Sequence, residues 1–282
     1  MSPIRYVCVA TEMKLYLPYL KELIPELAIL GLNTPWEGFI TKYKLLQAYL
    51  SSAGIVDDDL VCFIDAYDVL PTKQLPRFES NYRAFMKANP AVKIIVGYDK
   101  VENIFHEYIC QAIFGTVDDE RLNSGQFIGT AKNIREMITY ILTNTQHFQT
   151  DQIELTKYAN QFKTEVYIDT PQAFFYVRSR PLQQVFLSVA ASKAASATGP
   201  AFIHANGNGF LDQFLQREHG IQLGLNERWL ILKDNLKGVL KKILIYDLIY
   251  VKKYITLLYN KNGLFHQLLD FIRLYCGYDI LL

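Results

Sequence analysis

The first candidate site in this sequence is the acidic motif Asp-Ala-Tyr-Asp at residues 65–68, which follows an apolar run at residues 60–64. Such a run is typical of a buried strand in a parallel sheet, and in open α/β sheets ligands bind beyond the carboxyl ends of the strands. Asp65 and Asp68 repel each other there unless a positive charge lies between them. A divalent cation satisfies both carboxylates and leaves room for ligand phosphates. The alternative is an ordinary acidic turn, because Asp is common in turns.

A second candidate site is the segment Ile-His-Ala-Asn-Gly-Asn-Gly at residues 203–209, in which His204 ends an apolar run. A histidine that is followed by two Asn-Gly pairs is poorly explained by core packing. Imidazole is a common metal ligand, and glycines in such a turn allow close approach to phosphates. A histidine that only satisfies a turn is the competing interpretation.

Three further polar side chains lie next to the ends of predicted elements. Asn123 comes just before a predicted strand and can hydrogen-bond hydroxyl groups, although an ordinary turn also explains it. Asp151 opens a predicted helix after Thr150, a candidate N-cap, and the helix dipole alone would favour an acid there. Lys42 can bind a phosphate as a point charge, although a surface lysine is the default interpretation.

Strand-like and helix-like segments alternate along most of the chain. The predicted strands are residues 4–10, 60–64, 92–96, 127–130, 166–169 and 201–204. The predicted helices are residues 40–50, 75–88, 102–114, 133–142, 151–159 and 210–218, together with two short helices within residues 14–30. This alternation predicts an α/β layered domain.

The composition is typical of a globular protein with a sizeable core. The 282 residues have a net charge of +1, and 50% of them are hydrophobic. The near-neutral charge argues against nucleic acid as a partner. The four cysteines lack the spacing of a metal site or a redox pair. The N-terminal residues lead directly into a predicted strand without a signal-peptide pattern, so we expect an intracellular, cytoplasmic protein.

Residues 228–282 differ from the rest of the chain. They contain nine basic and four acidic side chains, and therefore carry a net charge of +5. Apolar residues recur at helical spacing, but no uncharged run approaches the roughly 20 residues that a membrane span needs. We therefore expect an amphipathic helical appendage without a transmembrane span. It would pack on the rest of the protein or form a homodimer, and binding to an anionic membrane surface is the alternative.

Four segments, taken in order, resemble the glycosyltransferase domain of the procollagen lysyl hydroxylase/glycosyltransferase family. They are Phe-Ile-Asp-Ala-Tyr-Asp-Val-Leu at residues 63–70, Leu-Asn-Ser-Gly-Gln-Phe-Ile-Gly at residues 122–129, Thr-Asp-Gln at residues 150–152 and His-Ala-Asn-Gly at residues 204–207. The resemblance extends over roughly residues 4–215 and leaves the tail uncovered.

This resemblance implies a fold, a donor and a cofactor. The fold is an α/β, GT-A-like nucleotide-sugar-binding domain at residues 1–224, with a mostly parallel central sheet, followed by the helical C-terminal appendage at residues 225–282. The donor is UDP-glucose or UDP-galactose, the cofactor is Mn²⁺, and the acceptor is a protein or a glycan.

The resemblance also implies roles for individual residues. The metal ligands are Asp65, Asp68 and His204. Tyr67 stacks on the uracil, and the residues around the sugar and phosphates are Trp36, Lys42, Asn123, Asp151, Gln152, Asn206 and Gly207. Of these, Asp151, Gln152 and Asn123 are the candidate catalytic residues.

The predicted function is therefore metal-dependent transfer of glucose or galactose from a UDP-sugar to a hydroxyl acceptor. Candidate acceptors are (galactosyl)hydroxylysine of a collagen-like protein and an unrelated glycan. A phosphatase that places paired Asp residues after a strand is a weaker alternative, because that class uses a DxD spacing and Asp65 and Asp68 are spaced DxxD. A catalytically weak module that binds sugar nucleotides is the other alternative.

Overall fold

The computed structural model describes residues 3–100, 111, 114–145, 150–177, 199–206 and 210–241. The strands in this part of the chain are β1 (Arg5–Val9), β2 (Ala28–Leu30), β3 (Leu60–Ile64), β4 (Val69–Pro71), β5 (Ile94–Tyr98), β6 (Leu122–Thr130), β7 (Val166–Asp169), β8 (Phe175–Val177) and β9 (Phe202–His204). The helices are α1 (Leu17–Leu23), α2 (Ile40–Leu50), α3 (Phe78–Ala88), α4 (Ala131–Asn144), α5 (Asp151–Gln161), α6 (Asp212–His219) and α7 (Leu225–Lys241).

Six strands form the central sheet, in the order β2-β1-β3-β6-β5-β7. Strand β6 runs antiparallel to both of its neighbours, and the other pairs in the sheet are parallel. The predicted α/β domain with a mostly parallel central sheet is therefore confirmed. The parallel strands place their carboxyl ends at one edge of the sheet, where β3 is followed by Asp65 and β5 by Asp99.

Strand β3 is buried on both faces, as its continuous apolar run predicts. Cys62 and Ile64 face one core cluster, which also contains residues of α1, α3, α6 and the small sheet. Val61 and Phe63 face a second cluster built with α2, α4 and α5. The ring of Phe63 stacks on that of Phe127, with 4.9 Å between the ring centroids. The sheet therefore lies between two packed layers.

Three strands form a second sheet, in the order β4-β9-β8. Strand β4 is antiparallel to β9, with Val69 opposite His204, and β9 is parallel to β8. This small sheet packs in the first core cluster, where Phe175 and Phe202 are fully buried. This small sheet joins the residues that follow the acidic motif to the strand that ends with His204.

The structure corrects the start of the strand predicted at residues 127–130. Strand β6 begins at Leu122, so Asn123 lies inside the strand and not in a turn before it, because Leu122 and Asn123 pair with the end of β5.

The structure also corrects the helices predicted near the N-terminus. Residues 14–30 contain helix α1 and strand β2, whereas the sequence predicted two short helices there. Pro25 follows the end of α1, and Ala28 then pairs with Val7 of β1 in parallel. Pairing with an existing strand edge therefore outweighs the helical spacing of the apolar residues. The predicted helix at residues 102–114 lies mostly outside the described residues.

Helix α7 is the part of the predicted appendage that the structure describes. It begins at Leu225, and its Ile231 is buried in the first core cluster. Tyr19 of α1 donates a hydrogen bond to Glu227. Leu225, Trp229 and Leu230 are exposed. None of the described helices is both long and apolar enough to cross a membrane. The domain boundary at residue 225 and the homodimer stay predictions, and residues 242–282 lie outside the described part of the chain.

Candidate active site

Asp65, Asp68 and His204, the three predicted metal ligands, lie together beyond the carboxyl end of β3. Each offers one ligand atom, and these atoms all lie within 4.8 Å of one another. Nε2 of His204 is 3.2 Å from Oδ1 of Asp68 and 3.9 Å from Oδ2 of Asp65. Asp68 and His204 are buried, whereas Asp65 is partly exposed. This spacing would allow the three groups to share a single cation.

Backbone pairing brings these three residues together. The backbone N–H of Asp65 donates to the carbonyl oxygen of Gly125 at 2.7 Å, which ties the end of β3 to β6. Asp68 directly precedes β4, and its carbonyl oxygen accepts a hydrogen bond from the N–H of Ala205 at 2.9 Å. Because Ala205 directly follows β9, the β4–β9 ladder places His204 beside Asp68.

Gly125 makes room for this cluster. A Cβ atom at this position would lie 2.4 Å from Oδ2 of Asp65 and 2.6 Å from Cε1 of His204. Both distances are far inside van der Waals contact, so any other residue would push the two side chains apart. The Asn-Ser-Gly motif of the sequence thus contributes a glycine that the close approach of Asp65 and His204 needs.

Asn123 orients the imidazole of His204. The side-chain oxygen of Asn123 accepts a hydrogen bond from the N–H of Gly125 at 3.0 Å and lies 3.1 Å from Nδ1 of His204. An amide oxygen only accepts, so Nδ1 carries the proton and donates. The opposite nitrogen, Nε2, finds no aligned hydrogen-bond partner among the described residues. A buried ring nitrogen held in this way is the arrangement of a metal-binding histidine.

The charges around His204 favour a cation. Burial lowers its pKa and is the largest single effect, but the carboxylates of Asp68, Asp65 and Asp99 together outweigh burial and raise the pKa above its ordinary value. The same carboxylates that favour a proton on Nε2 also favour a divalent cation between the three side chains. The residues present therefore fit a metal site.

Lys42 lies within the site and is itself buried. Its Nζ atom contacts Oδ1 of Asp65 at 3.0 Å, Oδ2 of Asp151 and the carbonyl oxygen of Ser124 at 3.4 Å. Burial lowers the pKa of Lys42, but Asp151 and Asp65 outweigh this effect and raise it above its ordinary value. The ammonium group is therefore charged, and it bridges two carboxylates. The predicted phosphate contact stays a prediction.

Asp151 is held at the start of α5. Thr150 is the N-cap of this helix and accepts a hydrogen bond from the N–H of Ile153 at 3.2 Å. Oδ1 of Asp151 accepts from the N–H of Gln152 at 3.0 Å, while Oδ2 contacts Lys42. The carboxylate is buried, and Lys42 links it to Asp65. The capped start of α5 and the ion pair with Lys42 thus both restrain Asp151.

Asp99 and Arg121 form a buried pair beside the candidate site that the sequence patterns did not indicate. Nη1 of Arg121 contacts Oδ2 of Asp99 at 2.9 Å, and Nη2 donates to its carbonyl oxygen at 2.6 Å. Both side chains are buried. The predicted catalytic residue Gln152 donates to Oδ2 of Asp99 at 3.4 Å. Asp99 follows β5, so the strand-end rule that identified Asp65 would also have found it, but the sequence carries no comparable signal for Arg121.

Tyr67, the predicted uracil-stacking residue, lies between Asp65 and Asp68 in the sequence and is partly exposed. Its hydroxyl donates to the carbonyl oxygen of Glu12 at 3.2 Å and accepts from the N–H of the same residue at 3.3 Å. The ammonium group of Lys14 lies 5.4 Å from the centre of the ring. The ring is therefore tethered to the segment that follows β1.

Trp36, Asn206 and Gly207 are the remaining predicted site residues. Trp36 lies just before α2, is 47% exposed and packs its ring edge-to-face with Phe39, with 6.0 Å between centroids. Asn206 follows the short stretch after His204 and is partly buried. Gly207 lies outside the described residues.

Comparison with known proteins gave no match among curated sequences. Among solved structures, one match is glucosyl-3-phosphoglycerate synthase from Mycobacterium tuberculosis in complex with Mn²⁺, UDP-glucose and phosphoglyceric acid. It has 16% identity and a TM-score of 0.37, over 70% of this chain and 78% of that one. A second is mouse xyloside xylosyltransferase 1 in its apo form. It has 10% identity and a TM-score of 0.36, over 60% of this chain and 64% of that one.

The comparison with protein families covers a longer part of the sequence. Residues 4–219 match the PLOD GT domain. This match includes every predicted site residue and most of the chain. The protein therefore belongs to the family of PLOD glycosyltransferase domains.

Proposed function

We propose that this protein is a metal-dependent glycosyltransferase that moves glucose or galactose from a UDP-sugar to a hydroxyl acceptor. The observation that carries the proposal is the convergence of Asp65, Asp68 and His204 within 4.8 Å in a chain of a glycosyltransferase family. Hydroxylysine or galactosylhydroxylysine of a collagen-like protein is the acceptor that we would test first, followed by glycans.

The charge balance of the site supports a divalent cation. The carboxylates are Asp65, Asp68, Asp99 and Asp151, and the buried cations are Lys42 and Arg121. With His204 neutral, two negative charges remain without compensation. A divalent cation would neutralise them, and further coordination positions would be left for oxygen atoms of a diphosphate.

Mn²⁺ is the cation that we propose for this ligand set. Carboxylates suit Mg²⁺, Ca²⁺ and Mn²⁺, whereas an imidazole ligand favours a transition metal, so a mixed set is suited to Mn²⁺. When bound by Asp65, Asp68 and His204, Mn²⁺ would stabilise the negative charge on the departing UDP.

The other side chains have separable roles in this proposal. Tyr67 supports the uracil by stacking, because its ring is partly exposed and tethered through its hydroxyl. Asp151 provides a fixed negative charge for the positive charge that develops at the anomeric carbon. Gln152 and Asn123 hydrogen-bond sugar hydroxyls or hold the groups that do.

The test is release of UDP from UDP-glucose and UDP-galactose by the full-length protein, with Mn²⁺ and with EDTA. We expect release that needs Mn²⁺ and that falls to background in Asp68→Asn. Asp58→Asn is the matched control, because Asp58 is exposed in the turn before β3. Undiminished release in EDTA would contradict the metal mechanism. Mn²⁺-dependent binding of UDP without any release would support the sugar-nucleotide-binding module instead.

A further inference from the structure

We propose that Lys42 is a positioning residue that joins the metal ligand Asp65 to Asp151, so that one buried ammonium group holds both carboxylates in a single orientation. The inference deepens the proposed function and rests on it. It assigns Lys42 to the protein's own carboxylates rather than to a phosphate of the donor.

The hydrogen-bonding capacity of Lys42 is fully used inside the protein. An ammonium group has three N–H donors. Its three acceptors here are Oδ1 of Asp65, Oδ2 of Asp151 and the carbonyl oxygen of Ser124. The residue is only 4% exposed. A phosphate oxygen could therefore contact Lys42 only by displacing one of these acceptors.

Because of Lys42, the two carboxylate oxygens of Asp65 have different partners. Oδ1 lies 3.0 Å from the ammonium group, and Oδ2 lies 3.9 Å from Nε2 of His204. Rotation of the carboxylate would break the contact with Lys42. The ion pair thus keeps Oδ2 directed towards the metal site, which is how groups outside the ligand set tune metal affinity.

Lys42 restrains Asp151 in the same way. Oδ2 of Asp151 contacts Lys42 and Oδ1 accepts from the N–H of Gln152. The neighbouring residue on α2, Tyr43, donates from its hydroxyl to the carbonyl oxygen of Asp151 at 3.3 Å. One turn of α2 therefore holds both the backbone and the carboxylate of Asp151. Any displacement of Lys42 would disturb the metal site and Asp151 together.

Mn²⁺ titration of the full-length protein tests this proposal, because the two possible roles of Lys42 change the Mn²⁺ affinity in opposite directions. A positive charge that merely lies near the metal repels it, so its removal would tighten Mn²⁺ binding. A positioning residue has the opposite effect, and we expect Lys42→Met to weaken Mn²⁺ binding by about 10-fold or more. Lys44→Met is the matched control, because Lys44 lies on the same helix and pairs with the exposed Glu37. Tighter or unchanged Mn²⁺ binding in Lys42→Met would overturn the proposal.

A double-mutant cycle with UDP release at saturating Mn²⁺ tests the link to Asp151, because saturation removes the effect that Lys42 has on metal affinity through Asp65. If Lys42 acts through Asp151, Lys42→Met lowers kcat at least about 10-fold in the wild-type background but less than about 3-fold when Asp151→Asn is already present. A phosphate ligand would instead give equal losses in both backgrounds and weaken UDP binding by the same factor, which would overturn the proposal. If Lys42→Met does not fold, Lys42→Arg takes its place in the cycle, because it keeps the charge and changes the geometry.

The outcomes separate this inference from the proposed function. Absence of UDP release from the wild-type protein with either donor contradicts the function, whatever the variants do. An active wild type whose Lys42 variants show additive losses contradicts only the positioning role.

Discussion

The imidazole of His204 donates from Nδ1 to the side-chain oxygen of Asn123 at 3.1 Å, and both groups are buried. This contact fixes the tautomer that leaves Nε2 for a metal. It also connects two of the sequence motifs, since Asn123 begins the Asn-Ser-Gly segment and His204 ends β9. The same oxygen accepts from the N–H of Gly125, so its position is set from both sides.

Replacement of Asn123 by Ala should therefore weaken Mn²⁺ binding by about 10- to 100-fold, the usual effect of removing a hydrogen-bond partner from a metal-binding histidine. Calorimetric titration with Mn²⁺ measures this directly. Asn133→Ala is a suitable control, because Asn133 lies at the start of α4 and its side chain contacts the carbonyl of Lys93. Equal Mn²⁺ affinity of Asn123→Ala and wild type would show that the ring is held by other contacts.

Gly125→Ala should abolish Mn²⁺ binding. The added methyl group would lie 2.4 Å from Asp65 and 2.6 Å from His204, so at least one ligand must leave its position. Gly54→Ala provides the matched control, because a Cβ atom there meets nothing within 4 Å. Electron paramagnetic resonance of bound Mn²⁺ distinguishes the two variants, and a normal spectrum for Gly125→Ala would refute the assigned ligand geometry.

Tyr67→Ala should weaken UDP binding several-fold, because stacking of an aromatic ring contributes about 0.5–1.5 kcal/mol beyond buried area. Tyr67→Phe keeps the ring but loses the hydroxyl contacts with Glu12, so its loss should be smaller. Isothermal titration with UDP and Mn²⁺ compares the two. A Tyr67→Ala protein that binds UDP like the wild type would exclude the stacking role.

Arg121→Met should lower the free energy of unfolding by about 3–5 kcal/mol, since it leaves the buried carboxylate of Asp99 without its cation. Arg83→Met is the comparison, because Arg83 forms a partly exposed i,i+4 pair with Glu79, and such pairs contribute about 0–1 kcal/mol. Urea unfolding followed by circular dichroism gives both values. Similar losses for the two variants would contradict the structural importance of the buried pair.

The exposed apolar face of α7 gives a test of the predicted homodimer. Leu225, Trp229 and Leu230 are more than 60% exposed. If this face joins two copies, the double change Trp229→Ser and Leu230→Ser should convert the dimer to a monomer, which light scattering measures. An unchanged dimer would exclude this face as the contact, and a monomeric wild type would exclude the homodimer itself.

The sequence by itself determined the parts of this protein that depend on local pattern. The apolar run at residues 60–64 became β3 with the predicted bounds, and residues 40–50 became α2. A continuous apolar run is recognisable because a strand buried on both faces needs no alternation. The candidate metal ligands were predicted because Asp65 follows a predicted strand, Asp68 belongs to the same acidic motif and His204 ends another predicted strand.

Only the tertiary structure decided contacts between segments that lie far apart in the chain. Strand β2 forms because Ala28 pairs with β1, and no local sequence pattern indicates this pairing. Lys42 reads as a surface lysine in sequence, yet the fold brings α2 to the start of α5 and places Lys42 between Asp65 and Asp151. The burial of a charge depends on which partners the fold brings to it, and the residues next to it in the sequence do not identify those partners.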